Sequence, residues 1–79
     1  MRDVYILLRN NASVRQFVDA IGALEGRFEV HSNLTILDAR SILGLYGLDL
    51  SSPLLLRIEN DCAEIMSVLD PFIIGNQAL

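Results

Sequence analysis

The sequence predicts an α+β fold, an open-faced β-sandwich of order β-α-β-β-α-β-α in which a four-stranded antiparallel sheet carries three helices on one face. Two observations carry that prediction. Alternating apolar segments recur at residues 4–8, 28–31, 34–39 and 54–58, and stretches with helical spacing lie between and after them. A third bounds it: with 52% apolar residues and no linker, repeat or low-complexity stretch, residues 1–79 read as one domain with enough apolar material for a core.

The elements follow in order. Val4, Ile6 and Leu8 alternate with Tyr5 and Leu7, a first strand with two apolar faces. Asn10, Asn11, Ala12 and Ser13 break the alternation with residues that favour caps and turns. From Ser13 the spacing is helical, with Val14, Phe17, Val18, Ile21 and Leu24 on one stripe. Ser13 with Gln16 fits a capping box and Gly26 a stop, so a helix is expected over 13–24. Residues 28–31 and 34–39 form two arms of a hairpin turned at Ser32 and Asn33. A short helix capped by Ser41 and stopped by Gly47 comes next, then a turn at Ser51, Ser52 and Pro53. Residues 54–58 make the last strand. Asn60 and Asp61, with Glu64 reaching back, cap a final helix. Its core stripe is Ile65, Met66, Leu69, Phe72 and Ile73, kinked or ended at Pro71, and residues 75–79 are expected to fray.

Charge and composition exclude several function classes. Six basic residues, all Arg and spread singly, face ten acidic ones, for a net charge of −4 and a pI near 4.6. Nucleic-acid binding needs a clustered basic face, and an anionic membrane surface needs the same, so neither is expected as a partner. One Cys and one His leave no disulfide framework and no zinc-type ligand cluster, so no metal or cofactor is expected. The longest apolar run, residues 4–8, is too short for a membrane span or a signal-peptide core. A soluble, cytoplasmic chain whose partners are other proteins is the expectation.

The segment Ala39-Arg40-Ser41-Ile42-Leu43-Gly44-Leu45-Tyr46-Gly47-Leu48-Asp49-Leu50 resembles the second-helix signature of HPr, the small histidine-containing phosphocarrier of the bacterial sugar phosphotransferase system. Gln16-Phe17-Val18, the element order and the length extend the likeness over roughly residues 4–70, although only the Ser41 segment is specific. The departures bear on function. Aligned without a gap, Asn10 stands where that family carries its phosphorylated histidine, Ala12 where it has an arginine and Ser13 where it has a proline. A carboxamide cannot accept and release phosphate as an imidazole does, and the guanidinium that would pair with the phosphate is missing too. The resemblance therefore implies a non-enzymatic relative that has lost histidine phosphotransfer. Neither His31, mid-strand beside Glu29, nor Cys62, near the start of the last helix, offers a supported replacement.

Ser41 is retained. In Gram-positive members of the family the serine at this position is phosphorylated by an ATP-dependent kinase, and the product acts as a corepressor in carbon catabolite control. A paralogue, the catabolite-repression HPr, lacks the histidine and keeps the serine, which is the pattern at Asn10 and Ser41 here. The resemblance thus implies regulatory phosphorylation at Ser41, with phosphotransferase-system components, a serine kinase or a transcriptional regulator as partners. Read from the residues alone, Ser41 is first of all an ordinary N-cap, a role compatible with phosphorylation. Ile42, Leu43 and Tyr46 cannot all face inward on two turns together with Leu45 and Leu48, so this set is the candidate partner-binding surface. Two alternatives stay open: a phosphocarrier using another residue, and a generic α+β interaction module. Finally, alternation puts Tyr5, Leu7, Ile36 and Leu55 on the face without helices, which favours a homodimer or a docked partner there.

Overall fold

The computed structural model describes residues 1–32 and 35–76. In chain order it forms β1 (Arg2–Ile6), α1 (Asn11–Gly22), β2 (Phe28–Ser32), β3 (Thr35–Asp38), α2 (Ile42–Tyr46), β4 (Leu54–Ile58), α3 (Ala63–Leu69), a 3-10 turn (Asp70–Phe72) and β5 (Ile73–Asn76). The strands make one open sheet in the order β3-β2-β4-β1-β5, antiparallel at every pairing. Among the described residues the fold is α+β, with three helices and an open sheet of five strands rather than four.

Alternation along the strands decides where the core lies. Val4 and Ile6 of β1, Phe28 and Val30 of β2, and Leu54, Leu56 and Ile58 of β4 are all buried, and they share one core with Val14, Phe17 and Ile21 of α1, Leu45 of α2, and Ile65 and Leu69 of α3. The residues between them on the same strands, Tyr5, Glu29, His31, Leu55 and Arg57, are less buried. The helices therefore cover one face of the sheet, and the period-2 pattern aims the largest aliphatic side chains at it. No helix among the described residues is long and apolar enough to cross a membrane.

The chain end differs from expectation. Phe72 and Ile73 are not the last turns of a helix, and residues 75 and 76 are not frayed. Pro71 ends α3, because its ring and missing N–H cannot continue the ladder, and the chain passes through Asp70–Phe72 into β5. Without β5, β1 would be an unpaired sheet edge. Residues 73–76 fill it, with Ile6 opposite Ile73, Tyr5 opposite Gly75 and a bulge between. The hairpin turn expected at Ser32 and Asn33 falls partly outside the described residues, while Ser32 itself ends β2 opposite Thr35.

Two helix starts and one strand start also move. The cap of α1 is Asn10, not Ser13, and the helix spans 11–22 rather than 13–24. The Asn10 Oδ1 accepts the Ser13 backbone N–H at 2.8 Å, so Ser13 is third in the first turn. Gly26 is not the stop, which is Ala23. It occupies the turn before β2 at φ 103°, a conformation costly for any residue with a Cβ. Asn60 and Asp61 do not cap α3, whose N-cap position is Cys62 without a side-chain hydrogen bond. Asp61 instead pairs with Arg2 at 3.3 Å. The first strand starts at Arg2, two residues before the expected Val4.

On the uncovered face, Arg57 Nε and Nη2 donate to the two carboxylate oxygens of Asp3, each at 2.9 Å, tying β4 to β1 at opposed positions. These hydrogen bonds hold the Asp3 carboxyl below its ordinary 3.8 despite some desolvation, and the charges of Arg57 and His31 act in the same direction. A depressed carboxyl contributes stability above its unfolded pKa and loses it as pH falls through the folded value. Asp3→Asn is therefore expected to lower the urea midpoint at neutral pH. The deficit should close as the pH drops well below 3.8. A pH-independent deficit would mean that packing, not the charge, is lost.

Candidate functional site

The chain enters α2 through a tight turn. The Ala39 N–H continues the sheet by donating to the Phe28 carbonyl at 2.8 Å, the Ser41 N–H donates to the Asp38 carbonyl, and the Asp38 carboxylate accepts the Arg40 N–H. Ser41 then occupies the N-cap position with extended backbone, and its carbonyl accepts the Leu45 N–H at 3.0 Å. The side chain is exposed and makes no capping hydrogen bond. Its hydroxyl lies over the next turn, where a Cβ at position 44 would come within 3.1 Å of the Ser41 Oγ and 3.3 Å of Leu37 Cδ1. Gly44 is what makes room for it.

The apolar residues of α2 divide cleanly. Leu45 is buried and Leu48 packs on the core. Ile42 also packs on the core and is half-buried, so it leaves the expected exposed set. Leu43 is 81% exposed and Tyr46 40%. Gly47 closes the helix as expected. Just beyond, the Ser51 hydroxyl and backbone N–H donate to the Asp49 carboxylate at 2.5 and 3.0 Å, holding that carboxyl below its ordinary range.

Asn10, Ala12 and Ser13 gather at the N-terminus of α1. Asn10 and Ala12 are exposed, and Ser13 is half-buried. Asn10 is engaged as the helix cap, with its carbonyl accepting the Val14 N–H at 3.1 Å and its side chain accepting from Ser13. His31 is half-buried on the sheet face without helices, 3.4 Å from the Glu29 carboxylate. Cys62 is exposed at the start of α3. Among the described residues, no group of three or more His, Cys, Asp or Glu side chains converges as metal ligands would.

Arg40, beside Ser41, carries a role that pattern and spacing do not reveal. Its Nη2 donates to the carbonyls of Leu24 at 2.6 Å and Ile21 at 3.2 Å, and its Nη1 to that of Gly26 at 3.1 Å. Its guanidinium carbon sits 5.0 Å from the centre of the Phe28 ring. The side chain thus satisfies the Leu24 and Gly26 carbonyls just past the end of α1 and adds a second donor to the Ile21 carbonyl, where a cation also complements the helix dipole. It fastens the start of α2 to the end of α1 and to β2. A lone Arg before a Ser carries no periodic signal, so only the folded arrangement exposes this function.

Compared with protein-family models, curated proteins and solved structures, the chain matches none of them.

Proposed function

We propose that the chain is an HPr-like protein that no longer carries phosphate on histidine and acts by protein–protein contact through α2, with Ser41 as its point of phosphorylation. The observation that carries this reading is the exposure of Leu43 and Tyr46 on the same short helix at whose N-cap the Ser41 hydroxyl makes no capping hydrogen bond. Two large apolar side chains in water beside a modifiable hydroxyl fit a contact surface that a phosphate, with roughly two added negative charges, would switch. The use of the Asn10 carboxamide as a helix cap supports the loss of the carrier site, because the group at the resembling position has a structural task instead. Phosphotransferase-system components, a serine kinase or a transcriptional regulator are the partners this reading implies.

The experiment compares two phosphate sources. With ATP and the serine kinase of the phosphotransferase system, acid-stable label is expected on the protein and is abolished by Ser41→Ala. With phosphoenolpyruvate and the system's first enzyme, no acid-labile label is expected. Asn10→His should stay unlabelled as well, because Ala12 supplies no guanidinium and Ser13 no family proline. Acid-labile label on the native chain would restore the phosphocarrier reading, and absence of label from both sources would leave a generic interaction module.

A further inference from the structure

We infer that Gly44 is the residue that admits phosphate on Ser41: having no Cβ, it leaves beside the Ser41 hydroxyl the space that the phosphate takes while α2 stays folded. This role rests on the reading of Ser41 as the modified residue. A glycine inside a helix is less favourable than an alanine, so Gly44 in the middle of the five-residue α2 calls for a reason. Backbone conformation is not that reason, because Gly26 is the described glycine with a positive φ. Packing is. Among the described residues, Gly44 is the one glycine at which a Cβ would come closer than 3.4 Å to another atom. It would lie 3.1 Å from Ser41 Oγ, 3.3 Å from Leu37 Cδ1 and 3.5 Å from Ser41 Cβ. A Cβ at Gly47, by contrast, would meet only backbone carbonyls, at 3.4 and 3.9 Å.

The crowded atom is the one that reacts. Phosphorylation bonds the Ser41 Oγ to the γ-phosphorus of ATP as the bond from that phosphorus to ADP breaks, and the hydroxyl proton passes to a base on the kinase. The oxygen nearest position 44 then carries phosphorus and three further oxygens. Its surroundings differ in what they tolerate. The Ser41 N–H is held by the Asp38 carbonyl at 2.9 Å, and the exposed Asp38 carboxylate repels a phosphate turned toward it. Leu37 of β3 offers only a methyl group. The Gly44 side carries neither a charge nor a side chain. A methyl group placed there would push on the modified side chain, and Ser41 is not free to yield, because its carbonyl accepts the Leu45 N–H at 3.0 Å and so anchors the first turn of α2. A five-residue helix supplies little dipole, so space is the decisive contribution of this turn.

A thermodynamic cycle tests this on the full chain, assembled by chemical ligation with either serine or phosphoserine at position 41. Urea unfolding followed by circular dichroism gives the unfolding constant of each form. The phosphate should raise that constant by roughly tenfold more in Gly44→Ala than in the native chain. In Gly47→Ala, where the added methyl meets only backbone, the effect of the phosphate should match the native chain within about twofold. Strain between the new methyl and Leu37 is present with and without phosphate, so it cancels in the cycle. Leu37→Ala removes that contact outright, and the coupling between position 44 and the phosphate should persist in its background. Hydrogen exchange supplies a local readout. The Leu45 amide should exchange roughly tenfold faster on phosphorylation in Gly44→Ala, and no more than about threefold faster in the native chain.

Equal effects of the phosphate in the native and Gly44→Ala chains would show that the group turns wholly into solvent, and would overturn the assignment. An effect in Gly47→Ala as large as in Gly44→Ala would overturn it too, since any methyl on α2 would then suffice. The phosphate is installed chemically, so no kinase enters the measurement. An unlabelled chain in the ATP assay would count against regulation at Ser41 and leave the cycle unaffected.

Discussion

Phe17→Ala is expected to reduce folding stability by about 3–5 kcal/mol, the usual range for removing a fully buried aromatic side chain. Phe17 has no exposed surface and sits at the centre of the stripe Val14, Phe17, Ile21 that α1 turns toward the sheet. Its ring meets that of Phe72 edge to face, with centroids 5.4 Å apart and planes at 78°. A chain of 79 residues has a total stability of about 4–12 kcal/mol, so this one change removes a large part of it. The damage should also travel. Phe72 packs on Phe17 while its carbonyl accepts the Leu7 N–H at 3.1 Å, which leads the chain into β5. Hydrogen exchange of the β5 amides should accelerate before that of β2 or β4. Urea unfolding followed by circular dichroism measures the first effect. A loss below about 1.5 kcal/mol would mean that the core closes around the missing ring, contrary to the usual incomplete relaxation.

Arg40→Ala should lower stability by about 2 kcal/mol, several times the half kcal/mol typical of a surface substitution. Three donated hydrogen bonds and the contact with the Phe28 ring disappear together. The full sum of three charge-assisted bonds is not expected. The Ile21 carbonyl keeps the Leu24 N–H at 3.0 Å, and water can reach the exposed Gly26. The Leu24 carbonyl, part-buried and bound at 2.6 Å, bears most of the loss. Arg40→Lys should recover less than half, because one ammonium cannot replace a planar fork spread over three carbonyls and an aromatic face. A loss under 0.5 kcal/mol in thermal or urea unfolding would show that the guanidinium contacts are replaceable by water. Since Arg40 precedes Ser41, the Ala variant should also loosen the start of α2, seen as faster exchange of the Leu45 amide.

Much of this architecture was legible in local patterns. Val14, Phe17 and Ile21 share a stripe at helical spacing, and all three are buried. Leu54, Leu56 and Ile58 alternate, and all three face the core. The turn to α2, its start at Ser41 and its stop at Gly47 follow from residues a few positions apart. The caps of α1 and α3 are not fixed locally, because Ser13 and Asn10 both suit an N-cap, and Asp61 can cap a helix or, as here, pair with Arg2. Which residue takes the part depends on the direction from which the preceding strand enters the helix.

In the candidate site, the sequence placed Asn10, Ala12 and Ser13 together at a helix start and Ser41 at another, because caps are local. It could not divide Ile42 from Leu43 and Tyr46, since a five-residue helix has no face of its own until the sheet supplies one.

What the sequence by itself determined is the set of short-range choices: which stretches are helical or extended, which side chains can pack, and that the six arginines stand singly along the chain. What only the tertiary structure decided is everything that joins distant residues. Residues 73–76 look like a helix tail until β1 offers an unpaired edge. Arg40 looks like a surface cation until the end of α1 brings three carbonyls to it. Asp3 and Arg57, 54 residues apart, become a bidentate pair only when β1 lies against β4. Such contacts depend on which elements become neighbours, and no window of adjacent residues contains that information.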